Sequence, residues 1–247
     1  VQVINACPDG LNINVNCGST HIETLQRFVK DSKVDIGLAF DGDADRLIAV
    51  DENGEVVDGD HIMAICGIHL KNKGMLKNST VVTTIMSNMG LEVALKQAGI
   101  KMVRTKVGDR YVLEEMLRSD FNLGGEQSGH IIFLDHNTTG DGLITAVNLL
   151  RVMVQTGKPL SELKKVMQIY PQVLLNVEVE DKSKYEGNEV IKNAINKAEE
   201  SMGGKGRIVV RPSGTEPIIR VMVEGEDSKL IQNIAEEIAS VIKRELQ

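Results

Sequence analysis

The chain has 247 residues, 42% of them hydrophobic, and a formal net charge of −7 with acidic and basic residues mixed along its length. That length can bury a large core and suggests two domains with the remnant of a third. No basic patch with interleaved aromatics occurs, which excludes nucleic acid as an expected partner, so an anionic ligand must be met by a local cluster of positive groups. No apolar run is long enough to span a bilayer, so no membrane association is expected, and no signal peptide opens the chain. Cys7, Cys17 and Cys66 are odd in number and lack metal-site spacing. They read as free thiols of a cytoplasmic protein.

Val1 to Asn5 has strand character and no initiator Met precedes it, so the chain is expected to be a fragment entered in mid-domain. Thr20 followed by Glu23 predicts a capping box, opening a helix whose apolar face is Ile22, Leu25, Phe28 and Val29. A strand follows over 36–40, then Asp41-Gly42-Asp43-Ala44-Asp45-Arg46, then the apolar run Leu47 to Val50. This order puts the acidic turn where ligands gather, at the carboxyl ends of strands in an open α/β sheet. A turn at 51–54 ends the segment.

From 55 to 165 helices and strands alternate: helix 59–72, strand 79–86, helix 88–98, strand 101–106, helix 109–118, short strands near 122–125 and 131–134, and helix 140–155. Thr80 to Ile85 has no strict polar face, as in a sheet covered on both sides. A short helix and a linker lie between Lys158-Pro159 and Tyr170-Pro171, where a hinge at 168–172 would let the last domain move. Strand 173–179, helix 186–201, strands 207–210 and 218–223 and helix 227–244 then predict a mixed or antiparallel sheet with two helices on one face. The expected class is α/β, made of the C-terminal part of one α/β domain (1–54), a complete mixed-sheet α/β domain (55–168) and an α+β C-terminal domain (169–247).

Three segments can carry chemistry. Asp41, Asp43 and Asp45 repel one another unless a cation holds them. With the backbone curling at Gly42 and Ala44, their oxygens converge on one hard ion. Mg2+ suits this set because it takes few protein ligands and keeps positions for water or phosphate. An ordinary acidic turn is the bland alternative; Arg46 and the buried-looking strands on both sides argue against it. In Gly124-Gly125-Glu126-Gln127-Ser128-Gly129-His130, Glu126 and Ser128 suit vicinal hydroxyls and His130 can exchange a proton near neutral pH. In Arg211-Pro212-Ser213-Gly214-Thr215-Glu216-Pro217, with Arg220 beyond, two hydroxyls, two guanidiniums and amides freed at Gly214 make a phosphate nest. A polar hairpin and a rigid solvated turn are the corresponding bland readings. At Thr105-Lys106-Val107-Gly108-Asp109-Arg110, Lys106 and Arg110 could bring positive charge to a transferring phosphoryl group, or Asp109 could simply favour a helix start. His21, His61, His69 and His136 have no evident partner, and the methionines read as core.

With these motifs in this order the chain resembles the α-D-phosphohexomutases, over essentially its whole length. Within that family the second motif and Thr105 to Arg110 are most similar to the bacterial branch acting on glucosamine phosphates. The resemblance implies a four-domain enzyme whose first domain, with a phosphoserine donor, has no counterpart here. By match, Asp41, Asp43 and Asp45 would hold Mg2+, and Arg46 would lie beside the serine phosphate. Glu126 and Ser128 would contact the sugar, with Lys106 and His130 as candidate general bases. Arg211, Ser213, Gly214, Thr215 and Arg220 would grip the phosphate that is not transferred. The implied reaction interconverts glucosamine 6-phosphate and glucosamine 1-phosphate through a 1,6-bisphosphate, with a hexosamine phosphate as the partner molecule. Apart from the resemblance, the first segment lacks its preceding sheet partners, and a homodimer is one way of covering its edges. A phosphoglucomutase or phosphomannomutase, a metal-dependent phosphatase using Asp41 as nucleophile, and a non-catalytic phosphosugar-binding or structural fragment remain the alternatives.

Overall fold

A computed structural model describes residues 1–214 and 216–247. Two compact units emerge, Val1–Gln168 and Ile169–Gln247. Residues 1–22 form neither helix nor strand, so the strand expected at 1–5 is absent. Val1 and Val3 are exposed, and an unpaired strand without a buried face has little to hold it. The first helix, α1 (Glu23–Ser32), starts from Ile22 without a side-chain cap. The expected Thr20–Glu23 capping box does not form because Thr20 lies inside a turn closed by His21 N–H on Gly18 O (3.2 Å).

Strands β1 (Ile36–Phe40), β2 (Leu47–Asp51) and β3 (Val56–Val57) make a small antiparallel sheet in that order. Phe40 pairs with Leu47 and Ile36 with Asp51, so the acidic segment joins a hairpin and is not the strand-to-helix turn of an open parallel sheet. The reason lies in β2, buried at every position: it gains most by folding straight back onto β1 and presenting Leu47 and Ala49 to the main core.

After α2 (Gly59–Asn72) come β4 (Thr80–Thr84), α3 (Met89–Gln97), β5 (Lys101–Thr105), α4 (Asp109–Ser119), β6 (Leu123–Gly125), β7 (Ile131–Phe133), α5 (Gly142–Thr156) and the short α6 (Leu160–Leu163). The strands order as β5-β4-β6-β7. The β4 pairs are parallel and β7 closes the edge antiparallel to β6. Alternate residues of β4 face opposite ways: Val81 enters a core with Ile62, Met63, Leu91, Leu95 and Leu149, while Val82 packs with Val112 and Met116 of α4 and with Ile132. Helices therefore cover both faces of this α/β sheet, and all five β4 residues are buried.

In the second unit β8 (Gln172–Glu178), β9 (Gly206–Pro212) and β10 (Ile218–Gly225) form an antiparallel sheet in the order β8-β10-β9. Helices α7 (Glu189–Met202) and α8 (Ser228–Leu246) are capped by Asn188 and Asp227. Their apolar stripes, Ile191 and Met202 on one and Ile231, Ile234, Ile238 and Ile242 on the other, close over Val177, Ile219, Val221 and Val223. Burying each such side chain contributes about 1.5–3 kcal/mol, so this unit has a core of its own. No helix among the described residues is long and apolar enough to cross a membrane.

Candidate active site

The hairpin loop between β1 and β2 brings one carboxylate oxygen from each of Asp41, Asp43 and Asp45 to within 4.8 Å of the others. The bend is made at Ala44, whose φ of 58° is left-handed, at a cost of about 1 kcal/mol for a residue with a Cβ. Gly42, expected to help the curl, has another role: a Cβ there would lie 2.5 Å from Ile13 Cδ1, so glycine lets the preceding segment lie against the loop. Ala44 N–H donates to Asp41 O (3.2 Å) and Arg46 N–H to Asp41 Oδ1 (3.2 Å). Arg46 Nε stands 3.6 Å from Asp41 and 3.9 Å from Asp45. Burial, then a hydrogen bond and charge from Asp41, raise the Asp45 carboxyl above the usual carboxylate range, with Asp43 adding to this and His130 opposing it. An all-oxygen, like-charged set of this kind fits a hard divalent cation, whose charge would offset the repulsion.

The second motif lies against this loop. Arg46 and His130 form an isolated antiparallel bridge, and Leu47 N–H donates to Gly129 O (3.0 Å). The His130 imidazole is buried, with Nε2 3.4 Å from Asp45 Oδ2 and 3.9 Å from Asp109 Oδ2. Asp109, read from sequence as a helix start, is the first residue of α4 and also faces His130. Glu126 Oε1 accepts from Gly108 N–H (3.2 Å), while Ser128 is exposed. Lys106 is exposed, with Nζ 6.0 Å from the centre of the Tyr111 ring, and its ammonium makes no hydrogen bond or ion pair among the described residues. Arg110 is held by Glu114 (2.7 Å) on the surface of α4.

A buttress behind the loop escaped the sequence reading. Asp58 caps α2, accepting from His61 N–H (3.1 Å), and its Oδ1 lies 2.7 Å from His61 Nδ1. Gln127 Nε2 donates to Asp58 Oδ2 (3.2 Å) and Gly59 N–H to Gln127 O (3.0 Å). Burial alone would raise the Asp58 carboxyl, but hydrogen bonds and charge from His61, with the Gln127 amide, take it below the usual range. His61, left without a partner above, is therefore paired. The signal was there: an Asp three residues before a His at the start of a helical pattern is cap spacing.

In the second unit Arg211 on β9 and Arg220 on β10 are register partners. Burial and the charge of Arg220 lower the Arg211 guanidinium. Ser213 is buried, its N–H bound to Ile218 O (2.9 Å) and its Oγ accepting from Glu216 N–H (3.3 Å). Arg220 reaches Glu216 at 3.0 Å. Lys182 Nζ donates to the carbonyls of Ser213 (2.8 Å), Gly214 (3.3 Å) and Glu216 (3.3 Å). No local pattern could have revealed Lys182, some thirty residues from the loop it ties. Thr215, also expected here, lies outside the described residues. Two cations and a turn rich in backbone groups can receive an anion.

Models of the phosphoglucomutase/phosphomannomutase domains match in chain order: alpha/beta/alpha domain II at 5–54, alpha/beta/alpha domain III at 58–170 and the C-terminal domain at 174–241. A phosphoglucosamine mutase of Caldanaerobacter subterraneus subsp. tengcongensis is 63% identical over 239 residues, 96% of this chain and 54% of that protein. One from Brevibacillus brevis is 59% identical over 246 residues, 100% of this chain and 55% of its own. The chain thus spans about half the length of the curated relatives it matches. Among solved structures, Aspergillus fumigatus N-acetylphosphoglucosamine mutase in complex with GlcNAc-6P and magnesium shares the fold with a TM-score of 0.75 at 23% identity, covering 95% of this chain and 54% of that one. A phosphoglucomutase/phosphomannomutase family protein from Burkholderia thailandensis does so with a TM-score of 0.72 at 20% identity, covering 92% and 51%. With all three domain models and relatives of about 60% identity agreeing along nearly the whole sequence, the chain belongs to the phosphoglucomutase/phosphomannomutase family.

Proposed function

We propose that this chain is part of a phosphoglucosamine mutase, which interconverts glucosamine 6-phosphate and glucosamine 1-phosphate. The observation that carries the proposal is the convergence of Asp41, Asp43 and Asp45 with His130 at their edge, in a chain 63% identical to a protein of that name. Asp41, Asp43 and Asp45 would hold Mg2+; when bound, that ion supplies positive charge that stabilises a transferring phosphoryl group. Arg46 adds a second positive group beside the carboxylates. His130, buried between Asp45 and Asp109, is suited to hold or move a proton at Nε2. Lys106, whose exposed ammonium makes no hydrogen bond or ion pair among the described residues, is the other candidate base. Glu126 and Ser128 would receive sugar hydroxyls. Arg211, Ser213, Gly214, Thr215 and Arg220 would grip the phosphate that is not transferred, an anchor able to hold either end of the sugar.

In the cycle that the resemblance implies, a phosphoserine outside this chain gives its phosphoryl group to a sugar hydroxyl, and the bisphosphate later returns its other phosphoryl group to serine. The 247-residue chain alone is therefore expected to be inactive as a mutase. The test is an assay of the whole protein with glucosamine 6-phosphate and a bisphosphate primer, expected to yield glucosamine 1-phosphate. Equal or better turnover of glucose or mannose phosphates would replace the amino-sugar assignment by a phosphoglucomutase or phosphomannomutase. Release of free phosphate without isomerised sugar, with phosphate trapped on Asp41, would replace it by a phosphatase.

A further inference from the structure

The entrance to α5 touches both halves of the candidate active site. Asp141 caps the helix, accepting from Ile144 N–H (2.9 Å), and a glycine stands on each side of it. A Cβ at Gly140 would overlap the face of the His130 imidazole, at 2.5 Å from Cε1 and closer still to Nε2 and Cδ2. Nε2 is the nitrogen that faces Asp45 and Asp109. A Cβ at Gly142 would lie 2.6 Å from Arg46 O and 2.9 Å from Ala44 O, and Gly142 N–H donates to Ala44 O at 2.9 Å. Neither glycine has the left-handed φ that would by itself call for glycine. What each position requires is the space of a missing side chain, and that space is filled by the imidazole at one and by the backbone of the acidic loop at the other.

We propose that Gly140 is a positioning residue for phosphoryl transfer: lacking a Cβ, it lets the His130 ring lie against the chain before α5 with Nε2 aimed at the Asp45 and Asp109 carboxylates. Gly142 does the companion task for the acidic loop, its N–H holding the left-handed Ala44 and its bare Cα admitting the Arg46 carbonyl. The α5 entrance thus fixes the imidazole and the carboxylate loop relative to each other. A methyl group at 140 would occupy the space of the ring itself, and packed interiors leave no room for both, so the ring must turn away. The kinetic side of this inference rests on the mutase reading above; the structural side does not.

Nuclear Overhauser spectroscopy on the 247-residue chain tests the structural side. The wild type is expected to show contacts from the His130 ring protons to Gly140 Hα and to the Hβ protons of Asp45 and Asp109. In Gly140→Ala the contacts to the two aspartates are expected to vanish while amide shifts in α2 and β4 stay in place. Gly67→Ala, whose added Cβ meets Val81 Cγ2 at 3.2 Å in the core, perturbs packing at a distance and should leave the His130 contacts intact. An imidazole that keeps both aspartate contacts in Gly140→Ala overturns the inference. If that variant does not fold, the double variant Gly140→Ala with His130→Ala decides: recovery of a cooperative melt supports the inference, since the clash has lost its partner, and failure to recover overturns it. In the whole protein, Gly140→Ala is expected to lower kcat by roughly 10- to 100-fold, the scale of an ångström-sized misplacement of a reacting group, with KM nearly unchanged. A loss confined to KM overturns the kinetic side. A wild-type protein without mutase activity removes the functional reading, and the Overhauser result then stands as the test of the inference.

Discussion

Arg211 and Arg220 lie directly opposite each other across the β9–β10 pair, so two guanidiniums share one face of the sheet, where like charges destabilise. Burial and Arg220 together lower the Arg211 guanidinium, the response of a cation partly removed from water and held near another cation. An anion placed between them relieves that cost.

Inorganic phosphate should therefore raise the melting temperature of the chain more than chloride at equal ionic strength. At a hundredfold excess over Kd the gain is about 2.7 kcal/mol. Arg211→Lys keeps the charge but not the planar fork, and is expected to weaken phosphate binding by about ten-fold. Superimposable calorimetric isotherms for wild type and variant would show that Arg211 does not hold the anion.

Asp43→Asn removes one carboxylate from the converging three and lessens the repulsion felt by Asp45. The expected result is a variant at least as stable as wild type without metal, yet with Mg2+ affinity lowered on the order of ten-fold or more. Titration calorimetry of the folded variant checks this, and unchanged Mg2+ affinity would remove Asp43 from the ligand set.

The Asp58–His61 pair makes stability depend on acid. The Asp58 carboxyl is lowered in the fold from an ordinary value of 3.8, so the folded chain binds its proton less readily than the unfolded chain. Its contribution is fully present above 3.8 and is lost as pH falls through the lower folded value. Asp58→Asn should flatten the stability curve in that acid window and lose the charged contact to His61 at neutral pH, while the capping bond to His61 N–H can persist. Asp58→Ala also loses the cap, costing about 1 kcal/mol more. Urea melts of wild type and both variants between pH 2.5 and 7 measure this, and parallel curves would refute the assignment.

Lys164 Nζ reaches Asp51 at 2.7 Å, and the Asp51 side chain is completely buried. Lys164→Met leaves that carboxylate without its cation and should destabilise the first unit by about 3–5 kcal/mol. Asp51→Asn combined with Lys164→Met should recover a good part of the loss, because no charge remains buried. Equal losses for single and double variants would show that packing, not the ion pair, carries the effect.

From residue 59 onward sequence alone determined the order of the main helices and strands, because apolar periodicity and turn residues are local signals. Helices 59–72 and 109–118 and the strands of both units fell within a few residues of α2, α4 and β4 to β10. It also determined which functional groups each motif carries, since Asp41, Asp43, Asp45, Glu126, His130 and Arg211 announce them by identity. Tertiary structure decided the rest. Whether β1 is followed by a hairpin or a crossover depends on where β2 finds its buried partners, which no local window contains. The pairing of His130 with Asp109, the reach of Lys182 to Ser213 O and the clearance at Gly140 join residues distant in sequence or depend on space that only the folded chain defines. A glycine kept for the room it leaves looks, in sequence, like any other glycine; only the imidazole packed against it gives the reason.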